Sequence, residues 1–399
     1  MNRAYAYRND KAHADLAIHK AVAYTQTLVA KASVTPDDAG CQDWVAAKLT
    51  KLGFNIERFV DNGVTNTIAS LSDAKPVLAL AGHTDVVPPG ARERWHSDPF
   101  VPTVKAGYLI GRGAVDMKSG VAVMLAAVED HFQTYGRPNQ NWQFLLTSDE
   151  EGEASHGTQS IVKRLAQHNQ LPQYCLIAEP TADQQAGDVI KIGRRGAISA
   201  KLTIQGRQGH VAYPDKSINA VHIGSKVACA LAELGWDKGS DDFPGTSLQV
   251  TYVNSGEFTD NVVPGSCEVC FNLRYSHRYN EVSISQRIVR CITKIMAESQ
   301  AQYQLEWQRP CTPYHIGDAA DADSNLLVKV EQAIVAVNHR FPRLSTSGGT
   351  SDGRFLSSAQ TQVIELGLPN KTIHQVNEQV ELAQVVRLYD IYRQLLQQF

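Results

Sequence analysis

The chain has 399 residues, of which 43% are hydrophobic and 20% charged, and this composition fits a globular protein of two or three domains. Lys and Arg total 38 against 41 Asp and Glu, a balance that excludes a basic nucleic-acid-binding protein. The longest apolar stretches are far shorter than the ~20 residues of a membrane span, which excludes a membrane-spanning protein. The seven cysteines are odd in number and mostly scattered, which indicates the reducing cytoplasm rather than a disulfide scaffold.

The first half of the chain predicts an α/β domain. Met1–Leu16 lacks periodicity and is predicted to be a loosely held extension, whereas residues 17–52 carry apolar side chains at helical spacing. Helical spacing recurs at Gly120–Phe132. Three continuous apolar runs are typical of strands buried on both faces: Pro76–Ala81, Trp142–Thr147 and Tyr174–Ala178. Strands that alternate with helices indicate a layered domain with a largely parallel sheet.

The pattern changes after Gly193–Gly196 and indicates an α+β insert. Strand-like runs and helical spacing then alternate: Ala197–Ile204, Ala220–Leu234, Thr246–Val253, Cys267–Tyr275, Val282–Glu298 and Tyr303–Trp307. The last segment returns to apolar runs and ends in a predicted helix over Leu382–Leu396. The simplest architecture is one α/β domain, residues 1–195 and 310–399, interrupted by an α+β domain over residues 196–309.

Two short motifs could carry chemistry but are ambiguous alone. His83 and Asp85 follow a predicted strand and share a side of extended backbone, although such a pair is more often an ordinary surface pair. Asp116 lies in the glycine-rich loop Gly111–Gly120 before a predicted helix, where it could bind cations or simply cap the helix.

Clustered acids after predicted strands strengthen the case for metal ions. Residues 149–153 contain four carboxylates, a solvated acidic turn or a cation site, and Glu179 follows the next strand. Two imidazoles and three carboxylates suit a pair of metal ions ~3.5–4 Å apart if one carboxylate bridges them. The five candidate ligands are His83, Asp116, Glu151, Glu179 and His374.

The order of these motifs resembles the dizinc peptidase and deacylase family, which includes acetylornithine deacetylase and aminoacylases. The motifs are Gly82–Asp85, Gly111–Lys118, Ser148–Gly152, Ala178–Pro180 and the late His374. Further motifs resemble the desuccinylase branch of that family: Gly187–Gly196, Gln208–Pro214, Asn261–Gly265, Gly348–Phe355 and Thr372–Gln375. The resemblance implies a dizinc catalytic domain with a mixed sheet and an inserted lid and dimerisation domain. It also implies hydrolysis of N-succinyl-L,L-2,6-diaminopimelate to succinate and L,L-2,6-diaminopimelate, a step of lysine biosynthesis.

The resemblance also implies the cofactors. Two Zn²⁺ ions per chain are expected, and Co²⁺ is expected to be able to replace them. His83 and Glu179 would bind one ion, Glu151 and His374 the other, and Asp116 both.

The remaining roles are implied in the same way. Glu150 would be the general base and Asp85 would orient His83. His210 would come from the partner subunit of a homodimer to stabilise the oxyanion, with help from Asn261. The other residues that would hold the substrate are Arg194, Tyr213, Arg274, Gly349, Thr350, Arg354 and Asn370.

Two other functions stay open from the sequence. One is a sister amidase, such as acetylornithine deacetylase or a metallo-carboxypeptidase, and the other is a non-catalytic zinc-binding protein. The presence of Glu150 and all five ligands argues against the non-catalytic protein, and Arg194 and Arg354 favour a substrate with several carboxylates. Cys267 and Cys270 lie three apart in a predicted strand, so they face opposite sides and cannot share a metal ion.

Overall fold

The computed structural model describes residues 16–316 and 325–399. The predicted extension Met1–Leu16 lies outside the described residues except for Leu16. Contacts divide the chain into two units, the first with residues 16–193, 315–316, 325–345 and 351–399, and the second with Arg194–Tyr314 and Thr346–Thr350. The boundaries predicted at 195/196 and 309/310 stay a prediction. The predicted α/β class with a mixed sheet is confirmed.

The first unit is built on an eight-stranded mixed sheet. Its strands are β1 (Asn55–Asp61), β2 (Val64–Ser70), β3 (Pro76–His83), β6 (Asn141–Thr147), β7 (Tyr174–Ile177), β8 (Val189–Lys191), β17 (Arg343–Ser345) and β18 (Gln362–Glu365). They lie in the order β1-β2-β6-β3-β7-β18-β8-β17. The central strands from β6 to β18 are parallel, whereas β1, β2 and β6 pair antiparallel.

The central strands are buried on both faces, which explains their continuous apolar sequences. Every residue of β6 and β7 is buried, and β3 is buried at all but two positions. β1 and β2 were not predicted, because β1 is largely exposed and β2 carries several threonine and asparagine side chains. Their polar residues hide the periodicity on which the prediction depends.

Helices of the first unit surround this sheet. Their bounds are α1 (Lys20–Val29), α2 (Cys41–Lys51), α3 (Lys118–Tyr135), α4 (Thr158–Gln167), α7 (Leu326–Asn338), α8 (Gly353–Leu356) and α9 (Leu382–Leu396). The first eleven residues of α3 are all buried, and this helix contacts α1, α9 and β3. Helix α3 therefore lies at the centre of the core, which fixes the loop before it.

The second unit is an antiparallel sheet packed against two helices. Its order is β12-β14-β10-β15, with β10 (Gly196–Gln205), β12 (Ser247–Asn254), β14 (Ser266–Tyr275) and β15 (Gln302–Cys311), and its helices are α5 (Ala220–Ala232) and α6 (Glu281–Met296). Strand β14 alternates buried and half-buried residues along its length. In α6 the residues Ile284, Ile288 and Ile292 recur every four positions and pack in the same core. This alternation and spacing match a sheet with one covered face.

Short elements complete the described residues. They are a three-stranded sheet of β4 (Thr103–Lys105), β5 (Tyr108–Ile110) and β19 (Gln379–Glu381), a ribbon of β11 (Gly209–His210) and β13 (Val262–Val263), a pair of β9 (Gly193–Arg194) and β16 (Tyr314–His315), and 3₁₀ turns at Arg92–Arg94 and Pro214–Lys216. Among the described residues, no helix has the length and apolar character needed to cross a membrane.

Candidate metal centre and active site

The candidate ligands meet at the carboxyl edge of the parallel strands. His83 ends β3, Glu151 follows β6 and Glu179 follows β7, and these three strands are neighbours in the sheet. Open α/β sheets place their sites at this edge. A side chain at Gly120 would put a Cβ 2.5 Å from the Ala178 carbonyl oxygen, so glycine is needed for α3 to begin this close to the strand end.

The first ligand set is His83, Asp116 and Glu179. The Nε2 atom of His83 lies 3.2 Å from Oδ1 of Asp116 and 3.5 Å from Oε1 of Glu179. The Glu179 Oε1 atom is buried and accepts no hydrogen bond from the part of the chain that the structure describes. A buried carboxylate oxygen without a donor is costly unless a cation satisfies it.

The second ligand set is Asp116, Glu151 and His374. The Nε2 atom of His374 lies 3.4 Å from Oδ2 of Asp116 and 3.1 Å from Oε1 of Glu151. In each set the potential ligand atoms lie within 4.8 Å of one another. Asp116 therefore presents one oxygen to each set, as a bridging carboxylate does. It does not cap α3, whose N-cap is Met117 and has no side-chain cap.

The donor atoms of both sets fit metal ions of the zinc type. Each set offers one imidazole nitrogen and carboxylate oxygens, and borderline Zn²⁺ accepts both kinds of ligand. Glu150 belongs to neither set. The five predicted ligands therefore come together in the structure, and Glu150 remains available for another role.

Asp85 orders the site in two ways. Its backbone carbonyl oxygen lies 2.9 Å from Nδ1 of His83, and because a carbonyl can only accept, the proton of a neutral His83 ring must be on Nδ1. This leaves Nε2 free to face Asp116 and Glu179. The buried Asp85 carboxylate accepts hydrogen bonds from the backbone N–H groups of Glu150 and Glu151, at 3.3 and 3.1 Å. Asp85 thus links the loop after β3 to the loop after β6.

Glu150 lines a small cavity beside the first ligand set. The cavity holds about 10 Å³, about the space that one water molecule needs. His83, Glu179 and Asp352 also line it. Sequence reasoning missed Asp352, although it lies within the quoted motif Gly348–Phe355; its Oδ2 accepts a hydrogen bond of 2.6 Å from Thr158.

Burial and neighbouring groups shift the pKa values of the carboxyl groups at the site. Burial, with Glu179 nearby, raises the pKa of Glu150 well above its usual value, and burial raises that of Glu179 to about 7. Burial alone would raise the pKa of Asp116, but hydrogen bonds from His374 and His83 lower it below its usual range.

Both imidazoles have raised pKa values. Hydrogen bonds to Asp116 and Glu151 raise the pKa of His374 to about 10. Burial opposes the charged form of His83, but its carboxylate neighbours raise its pKa well above the usual value. A cation that binds His374 at neutral pH would therefore have to displace a proton from its ring.

We expect metal binding to release protons and to reach two ions per chain. Ligation requires neutral imidazoles and ionised carboxylates, so at pH 7 His374 should give up about one proton per chain, and the raised pKa values of His83, Glu179 and Glu150 should add to this release. Because the pKa of His374 is about 10, protons compete with the metal for this ring below about pH 10, and apparent metal affinity should rise with pH between 7 and 10; the raised pKa of His83 acts in the same direction. Calorimetric titration of metal-free protein with Zn²⁺, in buffers of different ionisation enthalpy, measures both stoichiometry and proton release.

A double variant, His83→Ala with His374→Ala, is the control and should release far fewer protons. A plateau at one ion with full activity, or binding of two ions without proton release, would contradict this description of the centre.

The predicted substrate-binding residues lie in both units. Arg354 and Asn370 belong to the first unit, and the Arg354 guanidinium lies 4.4 Å from the ring centre of Phe355. In the second unit, Nη1 of Arg194 donates to the Gly349 carbonyl oxygen at 3.4 Å. The second unit also contains Arg274, on β14 opposite Ala197, and Thr350, which follows Gly349.

His210, Tyr213 and Asn261 come together on the second unit. The His210 and Tyr213 ring centres are 5.8 Å apart, and the N–H of Val211 donates to the Asn261 carbonyl oxygen at 3.1 Å. All three predicted residues are exposed, on or beside the ribbon of β11 and β13. Cys267, by contrast, is buried in β14 and Cys270 is only half-buried, which agrees with opposite faces of one strand.

Comparison with known proteins identifies the family. The sequence model of peptidase family M20/M25/M40 matches residues 79–398. "Succinyl-diaminopimelate desuccinylase 2" of Shewanella loihica is 61% identical over 376 residues, 94% of this chain and 99% of the relative, and "Succinyl-diaminopimelate desuccinylase 1" of Alteromonas mediterranea is 46% identical over 94% of this chain and 95% of the relative.

Solved structures share the fold. An M20 family metallo-carboxypeptidase from Sulfolobus solfataricus is 14% identical with a TM-score of 0.78, over 95% of this chain and 99% of that one. A dinuclear metal binding peptidase of the M20 family from Bacillus subtilis is also 14% identical, with a TM-score of 0.68, over 96% of this chain and 97% of that one. These similarities confirm the predicted fold class, and the family match confirms the predicted resemblance. The chain belongs to peptidase family M20/M25/M40.

Proposed function

We propose that this chain hydrolyses the amide bond of N-succinyl-L,L-2,6-diaminopimelate, which yields succinate and L,L-2,6-diaminopimelate for lysine biosynthesis. The observation that carries the reaction type is the geometry of Asp116, which presents one oxygen to each of two ligand sets beside a free Glu150. The names of relatives at 61% and 46% identity over almost the full chain support this substrate.

The proposed cofactors are two Zn²⁺ ions, and Co²⁺ is expected to be able to replace them. His83 and Glu179 would hold one ion, Glu151 and His374 the other, and Asp116 both. Bound ions would supply Lewis-acid charge to the attacking water and the substrate carbonyl. Nitrogen and oxygen ligands in both sets support this choice of metal.

Glu150 is proposed to move the proton. It takes a proton from the attacking water as the oxygen bonds to the amide carbon, and it delivers that proton to the nitrogen as the C–N bond breaks. Its carboxylate accepts no hydrogen bond from other described residues and lines the cavity beside His83, which supports a free base. Asp85 holds the backbone of Glu150 in place.

The substrate carboxylates are proposed to bind arginine side chains. Arg194, Arg274 and Arg354 offer guanidinium groups that can grip carboxylates through two parallel hydrogen bonds. The other residues proposed to contact substrate are Tyr213, Asn261, Gly349, Thr350 and Asn370. The contact of Arg194 with Gly349 supports a shared binding surface for these two residues.

A side-by-side assay tests this substrate choice. The zinc-loaded protein is given N-succinyl-L,L-2,6-diaminopimelate, N-acetylornithine and a dipeptide at matched concentrations. We expect kcat/KM for the succinylated compound to exceed both others by at least about 100-fold, because buried polar groups left unpaired reject the wrong substrate. Preference for acetylornithine or the dipeptide would instead establish a sister amidase.

The active protein is proposed to be a cytoplasmic homodimer. The exposed group of His210, Tyr213 and Asn261 supports completion of a neighbouring site, and edge strand β12 exposes the apolar Tyr252 and Val253. None of the seven cysteines forms a disulfide, which supports a reducing compartment.

Hybrid dimers test the shared site. Equal amounts of His210→Ala and Glu150→Ala chains, each inactive alone, are mixed under conditions that exchange subunits. Half of randomly formed dimers are hybrids with one intact site, so about a quarter of wild-type activity should return. A tagged inactive chain verifies that exchange occurs. Proven exchange without any return of activity would contradict the shared site.

A further inference from the structure

The loop that carries Asp116 is wrapped around the carboxylate of Glu378, a residue outside every motif discussed so far. The Oε2 atom of Glu378 accepts from Nη1 of Arg112 at 2.7 Å and from the N–H of Gly113 at 3.0 Å. Its Oε1 atom accepts from the N–H groups of Val115 and Asp116, at 2.8 and 3.2 Å. One buried carboxylate therefore accepts hydrogen bonds from four donors of a single short loop.

Arg112, the loop residue that pairs with Glu378, is itself held in place by further contacts. Its side chain is 2% exposed, Nη2 donates to the Pro88 carbonyl oxygen at 3.4 Å, and the guanidinium lies 5.3 Å from the ring centre of Trp95. The Gly111 N–H also donates to the Glu378 carbonyl oxygen at 3.0 Å. Both the backbone and the side chain of Glu378 thus fasten this loop.

Glu378 also belongs to the loop that carries His374. The Thr372 hydroxyl donates to the Gln379 carbonyl oxygen at 2.9 Å and accepts from the Gln379 N–H at 3.1 Å, which closes residues 372–379 into a loop. His374 lies inside this loop, and its Nε2 reaches Oδ2 of Asp116 at 3.4 Å. Glu378 therefore joins the segments that bear two ligands of the second set.

We infer that Glu378 is a positioning residue that holds Asp116 and His374 at the separation a metal pair requires. This inference rests on one part of the proposed function, the binding of metal ions at the centre, and does not depend on the substrate. The Glu378 carboxylate touches neither ligand side chain; it fixes the backbone on which both are carried. Because Asp116 belongs to both ligand sets, displacement of its loop weakens both metal sites.

A purely structural role makes a different prediction. If the Arg112–Glu378 pair only stabilised the fold, its loss would lower the melting temperature and leave metal binding by folded protein unchanged. If Glu378 positions ligands, its loss changes metal affinity and ligand geometry in protein that is still folded. Metal affinity and the visible absorption spectrum of bound Co²⁺ therefore separate the two roles without any measurement of activity.

The experiment compares Glu378→Gln with wild type in the full chain. Metal-free protein is titrated with Zn²⁺ by calorimetry, and the Co²⁺-loaded form is examined by absorption. Gln keeps the side-chain size but removes the charge. Its NH₂ group, which cannot accept a hydrogen bond, would face the N–H donors of the loop. We expect the Kd of the weaker metal step to rise by about 10- to 100-fold, the scale for loss of a partner that orients ligands, and the Co²⁺ bands to change.

Two controls separate stability from positioning. Leu388→Ala, in the core of α9 and in neither loop, should lower the melting temperature while both Kd values stay within about twofold of wild type. Glu381→Gln, an exposed change three residues after Glu378, should alter neither property.

The outcomes decide between this inference and the proposed function. Unchanged Kd values and Co²⁺ bands in folded Glu378→Gln overturn the positioning role. If that variant does not fold, Glu378→Asp is measured in its place, because it keeps the charge against Arg112 but is one methylene too short to hold all four donors. Wild-type affinity in Glu378→Asp then overturns the inference. Wild-type protein that fails to bind two ions would overturn the proposed metal centre instead.

Discussion

Glu150→Gln is expected to lower kcat by about 10²–10⁴ while two metal ions stay bound and KM changes little, because the change removes the proton carrier and leaves every ligand in place. Glu150 lies in neither ligand set, yet it lines the cavity beside His83 and Glu179. Its backbone N–H is held by Asp85, so the amide side chain should occupy the same place. Steady-state kinetics beside metal analysis of the purified variant measures this outcome.

Glu151→Gln provides the matched comparison. It makes the same chemical change one residue along the chain, at a side chain that faces His374 and Asp116 at the second ligand set. We expect this variant to lose metal first and activity as a consequence, with partial recovery of activity at high Zn²⁺. A metal-depleted Glu150→Gln beside a metal-loaded but inactive Glu151→Gln would show that the two roles are reversed.

Because Glu150 is buried, its proposed role as a base would depend on the proposed metal ions. Burial and the neighbouring Glu179 raise the pKa of Glu150 well above its usual value, which disfavours the ionised carboxylate. Nearby cations favour the ionised form, which is the form a general base needs. The two proposed ions would therefore satisfy the ligand sets and also favour the ionised form of the proposed base.

The convergence of the candidate metal ligands could be predicted from the sequence because their positions follow local rules. Continuous apolar runs locate β3, β6 and β7, and the carboxyl ends of parallel neighbours share one edge. Residues directly after these runs, such as His83 and Glu179, therefore had to lie close together. Asp116 was ambiguous between a cap and a ligand, and only the structure shows Met117 in the capping position.

Residues that act through long-range contacts could not be predicted in this way. Glu378 lies 266 positions from Arg112 and four residues after His374, and nothing in its neighbourhood indicates a buried partner. The second contact of Asp85 could not be predicted either: beside His83 its carbonyl oxygen and carboxylate both face Nδ1, at 2.9 and 3.6 Å, and the same carboxylate also accepts a hydrogen bond from the N–H of Glu150. Such roles depend on which loops meet in three dimensions, and periodicity carries no information about that.

Asp116→Asn is expected to abolish the paired centre, and it tests the bridge itself. The two oxygens of Asp116 face different imidazoles, Oδ1 toward His83 and Oδ2 toward His374, so each ligand set depends on one of them. Asn replaces one oxygen with an NH₂ group, which has hydrogen-bond donors but no lone pair for a cation. One set keeps an oxygen and the other loses it, so calorimetry should find a single tight ion per chain where wild type binds two.

The loss of activity should be correspondingly large. With only one ion present, about 1% of wild-type kcat or less should remain, on the scale of losing one group that stabilises charge in the transition state. The Asn side chain has nearly the same size, but the change removes a carboxylate whose pKa is lowered by hydrogen bonds from His374 and His83, so the melting temperature of the metal-free protein should fall. Asp149→Asn, a change of the same kind at a buried acid of the neighbouring loop that belongs to neither ligand set, is the control and should still bind two ions. Two tight ions in Asp116→Asn would mean that Asp116 does not bridge, and the two sets would then have to be treated as separate sites.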